Sequence, residues 1–497
     1  MKHRVFLAGL ILSIFALSGR TPAETGFPKI APGLQAAMAA AEREGRPVPV
    51  WVYLRDKGLA DDGAVRRALT ERRLSLDERA LRRRAKVLNP SALIQSEDLP
   101  LARSYTEAVR IRATKVRAES RWLNAVSVEA MPDEVRRLAG LDFVRELAAV
   151  AGFRRDEEIA PFETAPLPRG PLYGPSYRQV NQINVPPLHL AGLSGRGVRV
   201  CLLDVGFRKS HQVFRFSRVI AELDFVMKDN DVQRNPNDPK DYSDAHGTAT
   251  WSLLGGLAPG LLVGPAFGAD IILGKTEDDR SETPIEEDYW VAGIEWAESL
   301  GADVVSSSLG YTDWYQFKDL DGKTAVTTKA ANRAASLGVV VVNAAGNDRR
   351  TAWGHLIAPA DGPDVIAVGA VDDDGLIASF SSPGPTADGR TKPEVCALGV
   401  HNFVAASTPT SGDTTYQWGN GTSYATPLVA GVVALLLEAH PDWTPKQVRD
   451  ALTKTADASG VPDNDYGWGI VNAAAAVSYS PARAAAGIAG TRLYFFR

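Results

Sequence analysis

Residues 284–309, PIEEDYWVAGIEWAESLGADVVSSSL, decide the fold. Pro284 suits the first turn of a helix, the segment to Leu300 is of helix length, and Gly301 supplies the stop. Asp303–Leu309 then reads as a short buried strand. The same alternation runs in both directions. Gly197–Leu203 (GVRVCLL), Asp270–Leu273 (DIIL), Val339–Val342 (VVVV) and Val365–Ala370 (VIAVGA) are short apolar runs, and His246–Leu257 and Thr324–Leu337 are helix-length segments. Buried strands alternating with helices predict an α/β fold with a mostly parallel, doubly wound sheet covered on both faces. In such sheets sites form outside the carboxyl ends of the strands. The residues that end these runs are therefore the ones to weigh for chemistry.

Ahead of this region the chain changes character. From Glu24 to Arg155 there are 25 Lys+Arg against 18 Asp+Glu; from Asp156 to Arg497 there are 27 against 41. A basic first half facing an acidic second half suggests two parts that attract one another or two merely solvated surfaces, and charge alone does not choose between them. Within residues 24–150, Val48–Tyr53 (VPVWVY) is β-rich, and Arg66–Arg84 and Tyr105–Arg117 are Arg-laden and look helical. Leu123–Ala130, a helix opening at Pro132, and Phe143–Val150 follow. This mixture fits a small α+β domain and carries no catalytic constellation. Residues 151–172, rich in Pro, Gly and acidic side chains, read as an exposed linker open to proteolytic nicking. Met1–Ala23 reads as a secretory signal: Lys2 and Arg4 precede a 13-residue apolar run, Val5–Leu17, too short for a membrane span. No later segment is expected to span, so the mature chain is expected to be exported. The expected order is signal 1–23, α+β domain 24–150, linker 151–172, catalytic domain 173–480 and tail 481–497.

Composition removes several function classes. A net charge of −4 argues against a dedicated nucleic-acid binder, and two cysteines exclude a four-cysteine zinc module. No HExxH follows any histidine. Cys201 and Cys396 are expected as two buried free thiols.

Three segments carry chemistry. Asp204 ends the first apolar run in LLDVGF, His246 opens a helix-length stretch in DAHGTATW, and Ser423 sits in NGTSYATPLVAG at the start of a strongly apolar helix. Singly these are a cap, a turn and an N-cap. In this order the motifs DxG, HGT and GTSxAxP resemble the subtilisin-like serine peptidases (subtilases), and the likeness covers about Tyr173–Val477. HPDWTPKQVRDAL and YGWGIVNAAAA extend it beyond the serine. The resemblance implies that Ser423 is the nucleophile, His246 its general base and Asp204 the group that orients the imidazole. It implies that Asn347, in VVVVNAAGND, is the side-chain donor of an oxyanion hole, a group whose loss costs a subtilisin about 3–4 kcal/mol of transition-state stabilisation. Asn343 is set aside because the AAGN context selects Asn347. Ser308-Leu309-Gly310 resembles the edge that pairs with an extended peptide substrate, and Ala344-Ala345-Gly346 resembles one wall of the specificity pocket. Trp122–Val150 is similar to the end of the family's inhibitory propeptide.

The pattern departs from the family in places. Val205 stands where Ser or Thr usually follows the aspartate, which removes a local hydrogen bond. Ala-Thr-Trp follows His246-Gly247-Thr248, with Trp251 expected in the core. Asp224–Asp244 holds six aspartates that could bind a structural Ca²⁺, but without a recognisable ligand pattern. Asp372–Gly375 is expected to be a hairpin turn. No cofactor is required, and the expected partners are polypeptide substrates and the chain's own propeptide. Two rivals are a non-catalytic peptide binder, against which the intact residue set argues, and an α/β-hydrolase esterase, which lacks its GxSxG elbow and has another residue order.

Overall fold

The computed structural model describes residues 29–150, 172–234, 244–277, 286–312, 315–407 and 412–481. The signal segment 1–23, all of the linker but Leu172, the helix-opening Pro284, the loop aspartates Asp238 and Asp241, and the tail beyond Pro481 lie outside the described residues.

The first half builds an antiparallel sheet in the order β2-β3-β1-β4 from β1 (Val48–Leu54), β2 (Lys115–Ser120), β3 (Ala125–Ala130) and β4 (Val144–Ala149). Its helices are α1 (Pro32–Glu44), α2 (Asp62–Ser75), α3 (Glu78–Arg84), α4 (Arg103–Arg110) and α5 (Pro132–Ala139). Side chains alternate across β1 and so divide its burial. Val50, Val52 and Leu54 face a core shared with Leu34, Val126 and Leu138, whereas Trp51 and Tyr53 face Trp290 and Ile294 of the second half. The sheet is thus sandwiched between its own helices and the larger domain.

Two expectations are corrected here. The Arg-laden stretch 66–84 is two helices, broken at Leu76–Asp77, where the Asp77 carboxylate accepts from the Arg79 N–H at 2.7 Å and starts a new helix. The stretch 105–117 is not one helix: α4 stops at Arg110, and Lys115 onward pairs with β3, cross-strand pairing having overridden local propensity.

The second half opens with α6 (Tyr177–Gln182) and α7 (Pro186–Leu190), followed by β5 (Arg199–Asp204), β6 (Arg218–Asp224) and α8 (Ala245–Gly255). A small hairpin, β7 (Leu257–Ala258) and β8 (Leu262–Val263), leads to β9 (Asp270–Lys275), α9 (Glu287–Ser299), β10 (Val304–Ser307), α10 (Val326–Ser336) and β11 (Val340–Ala344). Then come β12 (Val365–Val371), β13 (Val395–Leu398), the hairpin β14 (Asn402–Ala405) with β15 (Tyr416–Gly419), α11 (Thr422–Ala439), α12 (Pro445–Thr455) and α13 (Ala473–Val477). The main sheet has seven strands in the order β13-β12-β11-β10-β5-β9-β6. All neighbours are parallel, as the apolar runs predicted. One face packs on α8 and α11, the other on α9 and α10. β10 is shorter than its apolar run, which leaves Ser308–Gly310 just beyond the strand end.

Strand order reverses between β5 and β10, so a crevice opens at their carboxyl ends. α11 is long and apolar enough to cross a membrane by composition, but 83% of its window is buried within the fold. Cys201 and Cys396 are both free and buried. Trp251 lies in the core, its ring stacked on Phe214 at 3.5 Å. Asp372–Gly375 forms a turn closed by the Leu376 carbonyl accepting from Asp372 N–H at 2.9 Å, with Gly375 at φ +77°.

Candidate active site

Asp204 is the last residue of β5 and His246 the second of α8; both are about 97% or more buried. His246 Nδ1 lies 2.6 Å from Asp204 Oδ1, and the same oxygen accepts from the Val205 N–H at 2.8 Å. The carboxylate holds the proton on Nδ1, so Nε2 is left as the basic nitrogen. Thr250 Oγ1 stands 2.9 Å from the other carboxylate oxygen, Oδ2. Gly247 lets the helix approach this closely, because a Cβ there would lie 2.1 Å from the Gly206 carbonyl oxygen.

Ser423 is in the first turn of α11 and sits beside Ser308. Ser423 Oγ donates to the Ser308 carbonyl at 3.2 Å, and Ser308 Oγ donates to the Ser423 carbonyl at 2.8 Å. The second bond exists because Pro427, four residues on, has no N–H to claim that carbonyl within the helix. The Tyr424 ring, next in sequence to Ser423, is 6.1 Å from the His246 ring. β5 and β10 are neighbours, Leu203 pairing with Ser307, so Asp204 with its bonded His246 and Ser308 with its bonded Ser423 stand at adjacent strand ends. Gly421, at φ +146°, makes the turn into the helix.

Asn347 follows β11 and points its amide at this turn. Its Oδ1 accepts from the Thr422 N–H at 2.9 Å and from Thr422 Oγ1 at 3.0 Å, so Nδ2 is the donor end of the amide. Thr422 Oγ1 also receives the Gly346 N–H at 3.2 Å, so one hydroxyl stitches Gly346 and Asn347 to the helix start. Ser308-Leu309-Gly310 and Ala344-Ala345-Gly346 lie at the ends of neighbouring strands β10 and β11. Asn343, fully buried, joins them by donating to the Leu309 and Ala344 carbonyls, each at 3.0 Å. All the residues singled out from sequence are thus at one edge of the sheet.

Sequence reasoning passed over Thr250, Thr422 and the Ser308 hydroxyl. Thr250 carried a signal, being one helical turn beyond His246. It also passed over Glu277, just past β9, whose carboxyl takes a 2.6 Å bond from the Tyr311 hydroxyl. Burial first, and then the neighbouring Glu286, push Glu277 well above the usual carboxylate range. The last described residue of the first half, Val150, is fully buried in the same apolar cluster as Leu309 and Tyr311. The described part of the first half therefore ends in the cluster that also holds the residues just past β10.

The acidic loop does not fit a calcium ion in its described part. Asp224 Oδ1 accepts from the Val226 and Met227 N–H groups at 2.7 and 2.9 Å, and its Oδ2 faces Lys275 at 3.4 Å. Asp244 Oδ1 accepts from Ser407 at 2.6 Å. Among the described residues no group of three His, Cys, Asp or Glu could hold a metal ion.

Comparison with known proteins agrees with the fold. The model for the subtilase family of S8 peptidases matches residues 195–469, and one for an S8 peptidase propeptide domain of Bacteroidota matches residues 49–160. The chain is 35% identical over 301 residues to subtilisin E of Bacillus subtilis (strain 168), covering 60% of this chain and 70% of that one. It is 36% identical over 301 residues to a subtilisin of Bacillus pumilus, covering 60% of this chain and 97% of that one. Among solved structures, fervidolysin from Fervidobacterium pennivorans, a keratinolytic enzyme related to subtilisin, is similar with a TM-score of 0.62 at 24% identity. That match covers 87% of this chain and 61% of fervidolysin, less than two thirds of its length, and bears on the fold alone.

Proposed function

From the premise that the chain belongs to the subtilase family, as a subtilisin-like serine endopeptidase with a propeptide domain, we propose that Asp204, His246 and Ser423 are its catalytic triad. His246 takes the Ser423 proton as Oγ attacks the scissile carbonyl, then gives it to the leaving amine. Asp204 fixes the tautomer and stabilises the imidazolium. The oxyanion is met by Asn347 Nδ2 and by backbone N–H groups at the start of α11, where the helix dipole adds positive potential. Water then hydrolyses the acyl-enzyme. The substrate backbone pairs with Ser308–Gly310, and its side chain enters the space bounded by Ala344–Gly346. We further propose that the enzyme is exported, that residues 24–150 occlude the cleft until the chain cuts itself within 151–172, and that residues 173–480 form the mature catalytic domain.

The observation that carries this reading is the 2.6 Å bond between His246 Nδ1 and Asp204 Oδ1 at the rim where Ser423 sits. The test is labelling of the purified chain with a fluorophosphonate probe, alongside gel analysis of its two halves. Wild type should label and separate; Ser423→Ala should do neither. Labelling that survives in Ser423→Ala refutes the nucleophile, and normal separation of that variant refutes self-cleavage alone.

A further inference from the structure

The Asp204 carboxylate is buried, so each of its oxygens needs a donor. Oδ1 has two, His246 Nδ1 and the Val205 N–H, at 2.6 and 2.8 Å. Oδ2 has Thr250 Oγ1 at 2.9 Å, the one donor to that oxygen among the described residues. The residue after Asp204 cannot help, because Val205 has no hydroxyl and its side chain is packed in the interior.

Thr250 is placed to do this by the helix itself. Residues 246 and 250 are one turn apart on α8, so imidazole and hydroxyl project from one face toward one carboxylate. Their distance from β5 is set by other contacts. Gly247 rests against the Gly206 carbonyl and the Phe207 ring, and Thr248 Oγ1 receives the Arg208 N–H at 2.8 Å, which pins the turn after Asp204 to the helix. Thr250 Oγ1 also lies 3.1 Å from the Gly247 carbonyl, the ordinary acceptor for a helical threonine. A hydroxyl has one proton for two acceptors, and the ionised carboxylate is both nearer and the stronger acceptor. At 1% exposure Thr250 touches no substrate.

We infer that Thr250 is a positioning residue of the catalytic machinery: its hydroxyl holds the Oδ2 end of Asp204 and so fixes the carboxylate that orients His246, a task the residue after the aspartate cannot perform here. The inference rests on the triad assignment above. It predicts a division between shape and hydroxyl. Thr250→Val keeps the shape and loses the donor; Thr250→Ser keeps the donor and loses a methyl.

The experiment is steady-state hydrolysis of a peptide substrate, with the rate of fluorophosphonate acylation, by the two variants and wild type, each produced from the full chain. Thr250→Val should lose roughly 10- to 100-fold in kcat and in acylation rate with KM unchanged, the scale of a hydrogen bond to a charged group. Thr250→Ser should stay within about threefold. Were Thr250 only packing, Val would be silent and Ser harmful, and that result overturns the inference. Thr250→Ala stands in should the valine variant not fold, and it should fall as Val does. In an Asp204→Ala background Thr250→Val should cost nothing further, since it acts through that carboxylate; full additivity also overturns the inference. If Ser423→Ala or Asp204→Ala is itself fully active, the triad assignment has failed, an outcome distinct from a silent Thr250→Val.

Discussion

Glu298→Gln should detach the first half from the second without touching the candidate active site. Glu298 is near the carboxyl end of α9 and is fully buried, together with Arg84 and Asp98, while Arg83 is 1% exposed. Arg84 bridges two acids: Nη2 lies 2.8 Å from Asp98 Oδ1 and 2.8 Å from Glu298 Oε2, and Nε donates to Glu298 Oε1 at 2.8 Å. Arg83 pairs with Glu298 and donates to the Ala302 and Leu337 carbonyls at 2.6 and 3.2 Å. The seat is flat because glycines end the two helices beneath it. Gly301 has φ +75° and Gly338 φ +91°, and a Cβ on either would lie 3.0 Å from α3, against Arg79 or Arg83.

Removing one partner of a buried ion pair costs about 3–5 kcal/mol, because the remaining charge stays out of water unpaired. In domain affinity that is two to nearly four decades. The assay is urea unfolding of the full chain carrying Ser423→Ala, followed through the fluorescence of Trp51 and Trp122, both buried against the second half. Glu298→Gln should move the first transition to lower urea by that amount, whereas Glu107→Gln, whose side chain is 56% exposed, should shift it by less than about 1 kcal/mol. A Glu298→Gln transition within about 1 kcal/mol of the parent refutes the argument that this ion-pair cluster anchors the domain.

Asn347→Ala should lower kcat roughly 10²- to 10³-fold with KM little changed, in hydrolysis of a peptide substrate; a drop confined to KM would contradict its oxyanion role. Gly247→Ala places a Cβ 2.1 Å from the Gly206 carbonyl, so α8 must shift and carry His246 from Asp204. A displacement of about 1 Å costs on the order of 100-fold in rate, and a fully active Gly247→Ala would show that the close approach is dispensable. Acid should also release the first half. Burial alone would raise Glu298 and Asp98, but Arg83 and Arg84 hold Glu298, and Arg84 holds Asp98, below the usual carboxylate range. A carboxylate with a depressed folded value stabilises above the unfolded value of roughly 4 and loses that contribution as pH falls through the folded value. The first urea transition should therefore weaken from about pH 4 downward, and one that strengthens there would reverse the assigned sign.

Much of this was legible in sequence, for reasons that also mark where legibility ends. The strands of the second half are buried on both faces, so they read as apolar runs with polar residues at their ends, and those ends are where Asp204, Ser308 and Asn347 lie. The helix of 422–439 is apolar all round because it is buried along the sheet. The Arg-laden stretch was harder. Arg83 and Arg84 have the composition of a solvated helix face, and their partner Glu298 is 215 and 214 residues away in the chain. Nothing local distinguishes a buried arginine from an exposed one. The opposite charges of the two halves did carry the right sense, and the structure resolves that attraction into named pairs such as Arg117 with Asp288, 2.8 Å apart, and Arg121 with Glu295, 3.5 Å apart. Thr250 was missed because its meaning depends on Val205, in the turn after β5.

One property of a parallel sheet accounts for both ends of this molecule. Helices that pack on such a sheet start at the carboxyl edge of the strands and finish at the amino edge. α8 and α11 begin at the carboxyl edge with His246 and Ser423, so their unpaired N–H groups and positive dipole ends gather at the edge where the oxyanion is proposed to form. α9 and α10 finish at the amino edge, just before β10 and β11, and present carbonyls and negative dipole ends there. That edge suits a guanidinium, and it is where Arg83 of α3 is seated. The first half therefore grips the larger domain at the amino edge, whose electrostatics are opposite to those of the edge that carries His246 and Ser423. A substitution that weakens the arginine seat should loosen the domain and leave the chemistry of Ser423 intact, whereas one at Asn347 or Thr250 should do the reverse.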